Sequence, residues 1–165
     1  FLRLFNVALP EGISNFWDVP NLLLQKFPAP EFTVTTKVKF TPRTDDEETG
    51  LIVMGLDYAY ASVKKRPEGL VVSQTIVKDA EKGPKDKESR GVLLTSNTFY
   101  LRVRVSNGAV CNFSYSADGV TFTPLGEPFT ARQGKWIGAK VGLFAVRRGK
   151  TRETGYADFD WFRVE

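Results

Sequence analysis

A side-chain period of two constrains this chain more than any other feature. In residues 32–40, Phe32, Val34, Thr36, Val38 and Phe40 fall on one face, and Thr33, Thr35, Lys37 and Lys39 on the other. Successive side chains of an extended chain point to opposite sides, so this alternation describes a half-buried β-strand. Residues 98–105 repeat it, with Leu101, Val103 and Val105 inward and Tyr100, Arg102 and Arg104 outward. Ser106-Asn107-Gly108 follows as a hairpin signal, and residues 109–116 read as the returning strand. Ala117-Asp118-Gly119 then turns the chain into a strand over 120–123. No 3.6-residue periodicity persists for three turns, and the apolar run at 22–27 is stopped by Pro28 and Pro30.

Residues 50–63 form a longer apolar run, expected as one central strand covered on both sides. Residues 69–77, 136–146 and 156–164 read as further strands. About nine to twelve strands at this spacing predict an all-β fold, an antiparallel β-sandwich or jelly roll. There is no internal repeat and no linker, so residues 1–165 are expected to form one domain. Two segments are expected as exposed loops. Residues 41–49 carry Asp45, Asp46, Glu47 and Glu48 in a row, and residues 78–90 are dense in both charges and contain Gly83-Pro84. The acidic run lacks the alternation and the glycine of an EF-hand loop.

Composition narrows the chemistry. The chain has no His and one Cys, which excludes Ser-His-Asp and Cys-His triads and zinc sites of the Cys/His kind. Carboxylate chemistry, oxygen-ligated cations such as Ca²⁺, and binding without catalysis remain. Cys111 has no partner for an intramolecular disulfide and reads as a small buried hydrophobe. The net charge of +4 comes from scattered basic residues that match no RNP, KH or zinc-finger pattern, so no nucleic-acid partner is expected. No apolar stretch is long enough for a membrane-spanning helix. Phe1-Leu-Arg-Leu-Phe-Asn6 reads as the middle of a folded strand rather than a signal peptide. The chain is therefore expected to be a piece of a longer protein. Any targeting signal would lie upstream, so the sequence assigns no compartment.

Three stretches go beyond the generic sandwich pattern. They are Trp17-Asp-Val-Pro-Asn-Leu-Leu-Leu-Gln-Lys-Phe-Pro-Ala-Pro30, Gly50-Leu-Ile-Val-Met-Gly-Leu-Asp-Tyr58 and Gly155-Tyr-Ala-Asp-Phe-Asp-Trp-Phe-Arg-Val164. In this order and spacing the chain resembles the C-terminal concanavalin A-like β-sandwich module of family 43 glycoside hydrolases, the β-xylosidases and α-L-arabinofuranosidases. The resemblance covers essentially the whole chain. It implies a non-catalytic, carbohydrate-binding module with xylan or arabinoxylan, a plant-cell-wall polysaccharide, as ligand. It also implies a catalytic propeller elsewhere in the parent chain, on which the module packs and to whose active-site rim it can lend a residue. The alternatives are a structural module that mainly buttresses that propeller, and a free-standing lectin-like or hydrolytic domain.

A sugar site needs a flat aromatic for the pyranose C–H face and polar groups for the hydroxyls. The aromatic candidates are Trp17, Tyr58, Tyr60, Tyr100, Trp136 and Trp161, with Trp161 expected in the core between Phe159 and Phe162. Trp136 is expected to open a strand, sharing its face with Gly138, Lys140 and Gly142. Arg102 and Arg104 share a face with Tyr100, and Asn112, Ser114 and Ser116 form a row on the next strand that could meet them. Asp57 sits within an apolar run and needs a partner, for which Arg102 or Arg104 is the candidate. One reading is a structural ion pair; the sharper one is a concave-face site of Asp57, Arg102, Arg104 and Asn112. Asp158 and Asp160 project on one side of the last strand and, with Glu31, are candidate ligands for a structural Ca²⁺; pairing with Lys or Arg is the alternative. Asp57 with Glu31, or Asp158 with Asp160, would be the carboxylate pair of a hydrolase. No motif marks either, so the chain is not expected to be an enzyme by itself.

Overall fold

The computed structural model describes residues 1–13, 15–19, 21–82, 85–149 and 152–165. Pro20 of the first motif and the Gly83-Pro84 pair lie outside the described residues. In chain order the strands are β1 (Leu2–Phe5), β2 (Val7–Ala8), β3 (Leu22–Lys26), β4 (Phe32–Thr41) and β5 (Glu47–Met54). They continue with β6 (Tyr58–Arg66), β7 (Gly69–Lys78), β8 (Lys85–Glu88), β9 (Val92–Leu93) and β10 (Thr98–Ser106). The last are β11 (Val110–Ser116), β12 (Thr123–Thr130), β13 (Lys140–Arg147) and β14 (Tyr156–Val164). One sheet runs β1-β14-β4-β10-β11-β12. The other runs β2-β13-β5-β6-β7-β8, with β3 also on β13 and β9 also on β7. The pairing is antiparallel except between β2 and β13. This is the all-β sandwich the sequence predicts, concanavalin A-like in form.

The alternation sets what the sheets bury. Phe32, Val34, Val38 and Phe40 of β4 meet Leu101, Val103 and Val105 of β10 in one core, against Leu51, Val53, Ala61 and Val63 of β5 and β6. A second cluster covers the outer face of the eight-stranded sheet. There Phe16 stacks on Tyr58 and Tyr60 at ring-centroid distances of 5.9 and 5.1 Å, with Ile52, Phe144 and Val146 beside them. With a core on each face, β5 is buried along its whole length.

Several elements differ from the sequence-based expectation. Residues 50–63 are two strands, because the chain turns over 55–57 and Met54 pairs with Tyr58. Glu47 and Glu48 are not in a loop: they open β5 at 0% and 1% exposure. Glu47 accepts from Asn6, from the Thr44 amide and hydroxyl, and from the Gly155 amide at 3.0 and 3.1 Å. Glu48 accepts from the Ser62 hydroxyl at 2.6 Å, with Lys64 3.7 Å away and Arg148 3.6 Å away. Residues 22–26 form a strand on β13, and 85–88 a strand on β7. Residues 120–122 belong to the turn before β12 rather than to a strand. Trp161 is not in the core. A bulge between Phe159 and Trp161 sets Trp161 opposite Lys37, on the outer face, while Phe162 returns to the core.

Candidate functional site: the Trp136 loop

β13 begins at Lys140, four residues later than expected, and the freed residues form a loop between β12 and β13. Ala131 and Ala139 are buried at its two ends, while Trp136 is 94% exposed and Ile137 is also exposed. Neighbouring turns hold the loop. The Asp57 carboxylate, at the tip of the β5–β6 hairpin, lies 2.9 Å from Arg132 Nε, and its other oxygen accepts the Asp79 amide at 2.9 Å. Asp79 takes a left-handed conformation (φ 51°) there, with its own carboxylate 3.9 Å from Arg132. Lys135 pairs with Glu81. The Phe27 amide, just beyond β3, donates to the Ala139 carbonyl at 3.0 Å. Gly55 is required because a Cβ there would run into the Arg132 carbonyl oxygen. The tip with Trp136 is thus exposed, while the base is fixed to three other turns.

The segment carrying Trp17 reaches the same end of the sandwich. Asn15 caps a short 3₁₀ turn (Phe16–Asp18), accepting the Trp17 amide at 2.7 Å, and donates to the Ala80 carbonyl at 3.2 Å. The Phe16 amide donates to the Tyr58 hydroxyl at 3.1 Å. Trp17 itself is half-buried against the second core cluster. Tyr58 and Tyr60, expected as platforms, are 3% and 2% exposed because Phe16 covers them.

The concave-face site does not assemble. Asp57 ends a hairpin of the eight-stranded sheet and is paired with Arg132, whereas Arg102, Arg104 and Asn112 lie on the outer face of the six-stranded sheet. Within that sheet the two expected rows do meet: Arg104 is opposite Asn112, and Arg102 opposite Ser114. The metal set does not converge either. Arg3 grips Asp158 with two hydrogen bonds of 2.7 and 2.8 Å, which holds that carboxyl below its ordinary value. Lys37 takes Asp160 at 3.0 Å. Glu31 precedes β4, and Asp158 lies across from Lys39 in the strand register, eight positions further along β4, roughly 26 Å away at ~3.3 Å per residue. Among the described residues no group of three or more His, Cys, Asp or Glu is placed to hold a metal ion.

Compared with known proteins, residues 1–165 match the family model described as the β-xylosidase C-terminal concanavalin A-like domain. The chain belongs to this family. The domain is 38% identical over 83 residues, half of its length, to a β-xylosidase of Formosa agariphila, of which it covers 13%. Solved structures share its fold. A GH43 protein, BlXynB, from Bacillus licheniformis superposes with a TM-score of 0.79 at 19% identity, over 98% of this domain and 32% of that chain. A bifunctional GH43-CE protein of Bacteroides eggerthii gives 0.83 at 20% identity, over 99% of this domain and 22% of that chain. The domain thus spans a third or less of these relatives.

Arg132, Lys135, Glu81 and Gly55 escape sequence reasoning because no motif links a hairpin tip to a loop some 75 positions away. The available signal was Gly134 and Gly138 on either side of Trp136, which disfavours a strand there.

Proposed function

We propose that this domain is the non-catalytic accessory part of a β-xylosidase-type enzyme. Its Trp136 loop docks at the catalytic propeller of the parent chain and forms part of the rim around the xylan-derived substrate. The observation that carries this reading is an almost fully exposed indole on a loop anchored before it by two ion pairs, Arg132–Asp57 and Lys135–Glu81, and after it by the Phe27 amide on the Ala139 carbonyl. A Trp gains most when its large apolar surface is covered, and it anchors interfaces for that reason. Its flat face also suits the C–H face of a pyranose. Phe5, Val7 and Leu23 are more than half exposed in β1, β2 and β3, an additional apolar surface for the same parent.

The carboxylates favour a non-catalytic role. A glycosidase needs two free acids across a substrate; here Asp57, Asp158 and Asp160 are each tied to a cation, and Glu47 is saturated by donors. Xylan contact, in this reading, occurs through Trp136 at the shared rim and not on a sheet face of the isolated domain. Titration separates the alternatives. The chain alone should show no binding to xylo-oligosaccharides by calorimetry, and should associate with the separately produced catalytic domain. Tight xylan binding by the chain alone, or no association with the catalytic domain, would overturn the proposal.

A further inference from the structure

The outer face of the six-stranded sheet carries a second cluster, and strand register fixes its layout. Arg163 and Arg102 both lie opposite Thr35, Trp161 and Tyr100 both lie opposite Lys37, and Arg104 sits between Thr33 and Asn112. With strands ~4.8 Å apart, Arg163 and Arg102 are rooted about 10 Å from each other across β4. The Tyr100 and Trp161 rings are 6.0 Å apart. Arg163 lies 4.2 Å over the Trp161 ring, and Arg102 lies 3.5 Å over the Phe122 ring while its Nε donates to Thr35 at 2.9 Å.

The charge on this face is unbalanced. Its two mid-strand acids are taken, Asp158 by Arg3 and Asp160 by Lys37. Lys39, Arg102, Arg104 and Arg163 have no carboxylate within ion-pair distance among the described residues. Glu165 follows Arg163 at the strand end and is the one further acid in that row. Counting Glu165 against these four cations, the face keeps an excess of positive charge.

We propose that this face binds an acidic polysaccharide, a glycan bearing uronate groups. A guanidinium laid flat on an aromatic ring keeps an edge of N–H donors, and that planar fork fits a carboxylate bidentately. The stacking also holds the side chain in place, which lowers the entropy lost on binding. Between the cations, Thr33, Asn112 and Ser114 offer neutral partners for sugar hydroxyls, and the Tyr100–Trp161 pair offers apolar ring surface. A neutral glycan would leave the guanidiniums without a counter-charge. Duplex DNA would satisfy the charge but keeps its base faces stacked inside the helix, so it offers the Tyr100–Trp161 rings no flat apolar sugar face.

Affinity electrophoresis of the chain tests this, using polygalacturonate as the uronate probe, neutral β-1,4-xylan as the uncharged control and duplex DNA as the charge control. Polygalacturonate should retard the chain, less so as salt rises; xylan should not, and DNA should bind more weakly. The exposed-residue variant Arg104→Ser with Arg163→Ser should lose at least tenfold in affinity with an unchanged melting temperature, and Tyr100→Leu should weaken binding in the same direction. Trp136→Ala should leave the retardation unchanged, which keeps this surface separate from the proposed propeller contact. No retardation, equal retardation by DNA, or full binding by the Arg104/Arg163 double variant would overturn the proposal.

Discussion

Arg132 Nε sits 2.9 Å from Asp57 Oδ2, joining the tip of the β5–β6 hairpin to the root of the Trp136 loop. Asp57 is buried and half of the Arg132 side chain is exposed, so the two ends of this pair differ in what they support. Removing the carboxylate strands the Asp79 amide as well as the guanidinium. Asp57→Ala should therefore lower unfolding free energy in urea by about 2 kcal/mol. Lys135→Ala, at the solvated Lys135–Glu81 pair, should cost less than ~1 kcal/mol. Equal costs would mean that the Asp79 hydrogen bond contributes nothing.

Gly55 faces the backbone of Arg132 with no room for a methyl group. Gly55→Ala must push the hairpin and the loop apart, at about 1–3 kcal/mol by analogy with overpacked cores. Amide exchange should quicken at residues 132–139 ahead of β4 and β10. Uniform quickening across both sheets would count against a local wedge.

The acidic run at 45–48 divides sharply. Glu47 is enclosed and accepts from Asn6, Thr44 and Gly155, tying the N-terminal strands to the start of β14. Asp45 is half exposed and meets Lys65 at 3.1 Å. Glu47→Ala should cost about 3 kcal/mol, since several buried donors lose their acceptor. Asp45→Ala should stay within ~0.5 kcal/mol. Urea midpoints of the two variants measure the contrast directly.

High pH should weaken the fold. Burial pushes the Cys111 thiol from its ordinary 9.0 up to about 12. Burial also pushes Tyr58 from 10.0 to about 12 against the pull of the Phe16 amide, and drives Tyr60 well above 10.0, with Glu48 adding to it. The unfolded chain releases these protons at the ordinary values, so between the two the folded state holds more protons. Their contribution is complete below about pH 9 and falls as pH rises toward 12. The urea midpoint should drop steadily from pH 9 to 11, and Cys111 should react with a thiol reagent at pH 8 only after unfolding. A flat midpoint over that range, or rapid labelling of the native chain, would contradict this.

The parts of the fold that were legible from the sequence are those with one wet face. β4 and β10 alternate cleanly because Lys37, Lys39 and Arg104 meet solvent while their neighbours meet the core. β5 and β6 lose that alternation because Phe16 closes their outer side, which merges them into one apolar run and hides Tyr58 and Tyr60. Glu47 and Glu48 read as a loop tip because their donors come from Asn6, Ser62 and Gly155, distant in sequence. Trp161 was misplaced by a single bulge, which inverts inside and outside without any glycine or proline to announce it. Of the site, Trp136 was visible as a residue type, but its loop was not, since Asp57 and Arg132 meet only through the sheet topology.

The most direct test of the proposed Trp136 rim is kcat/KM for xylo-oligosaccharide hydrolysis by a longer β-xylosidase-type chain of the kind proposed above, carrying Trp136→Ala. The indole is 94% exposed in this domain, so its removal should leave the domain's melting temperature unchanged. If the loop forms part of the substrate rim, kcat/KM should fall about tenfold or more, with Trp136→Phe in between. An unchanged kcat/KM in Trp136→Ala, with the domain still folded, would contradict the account.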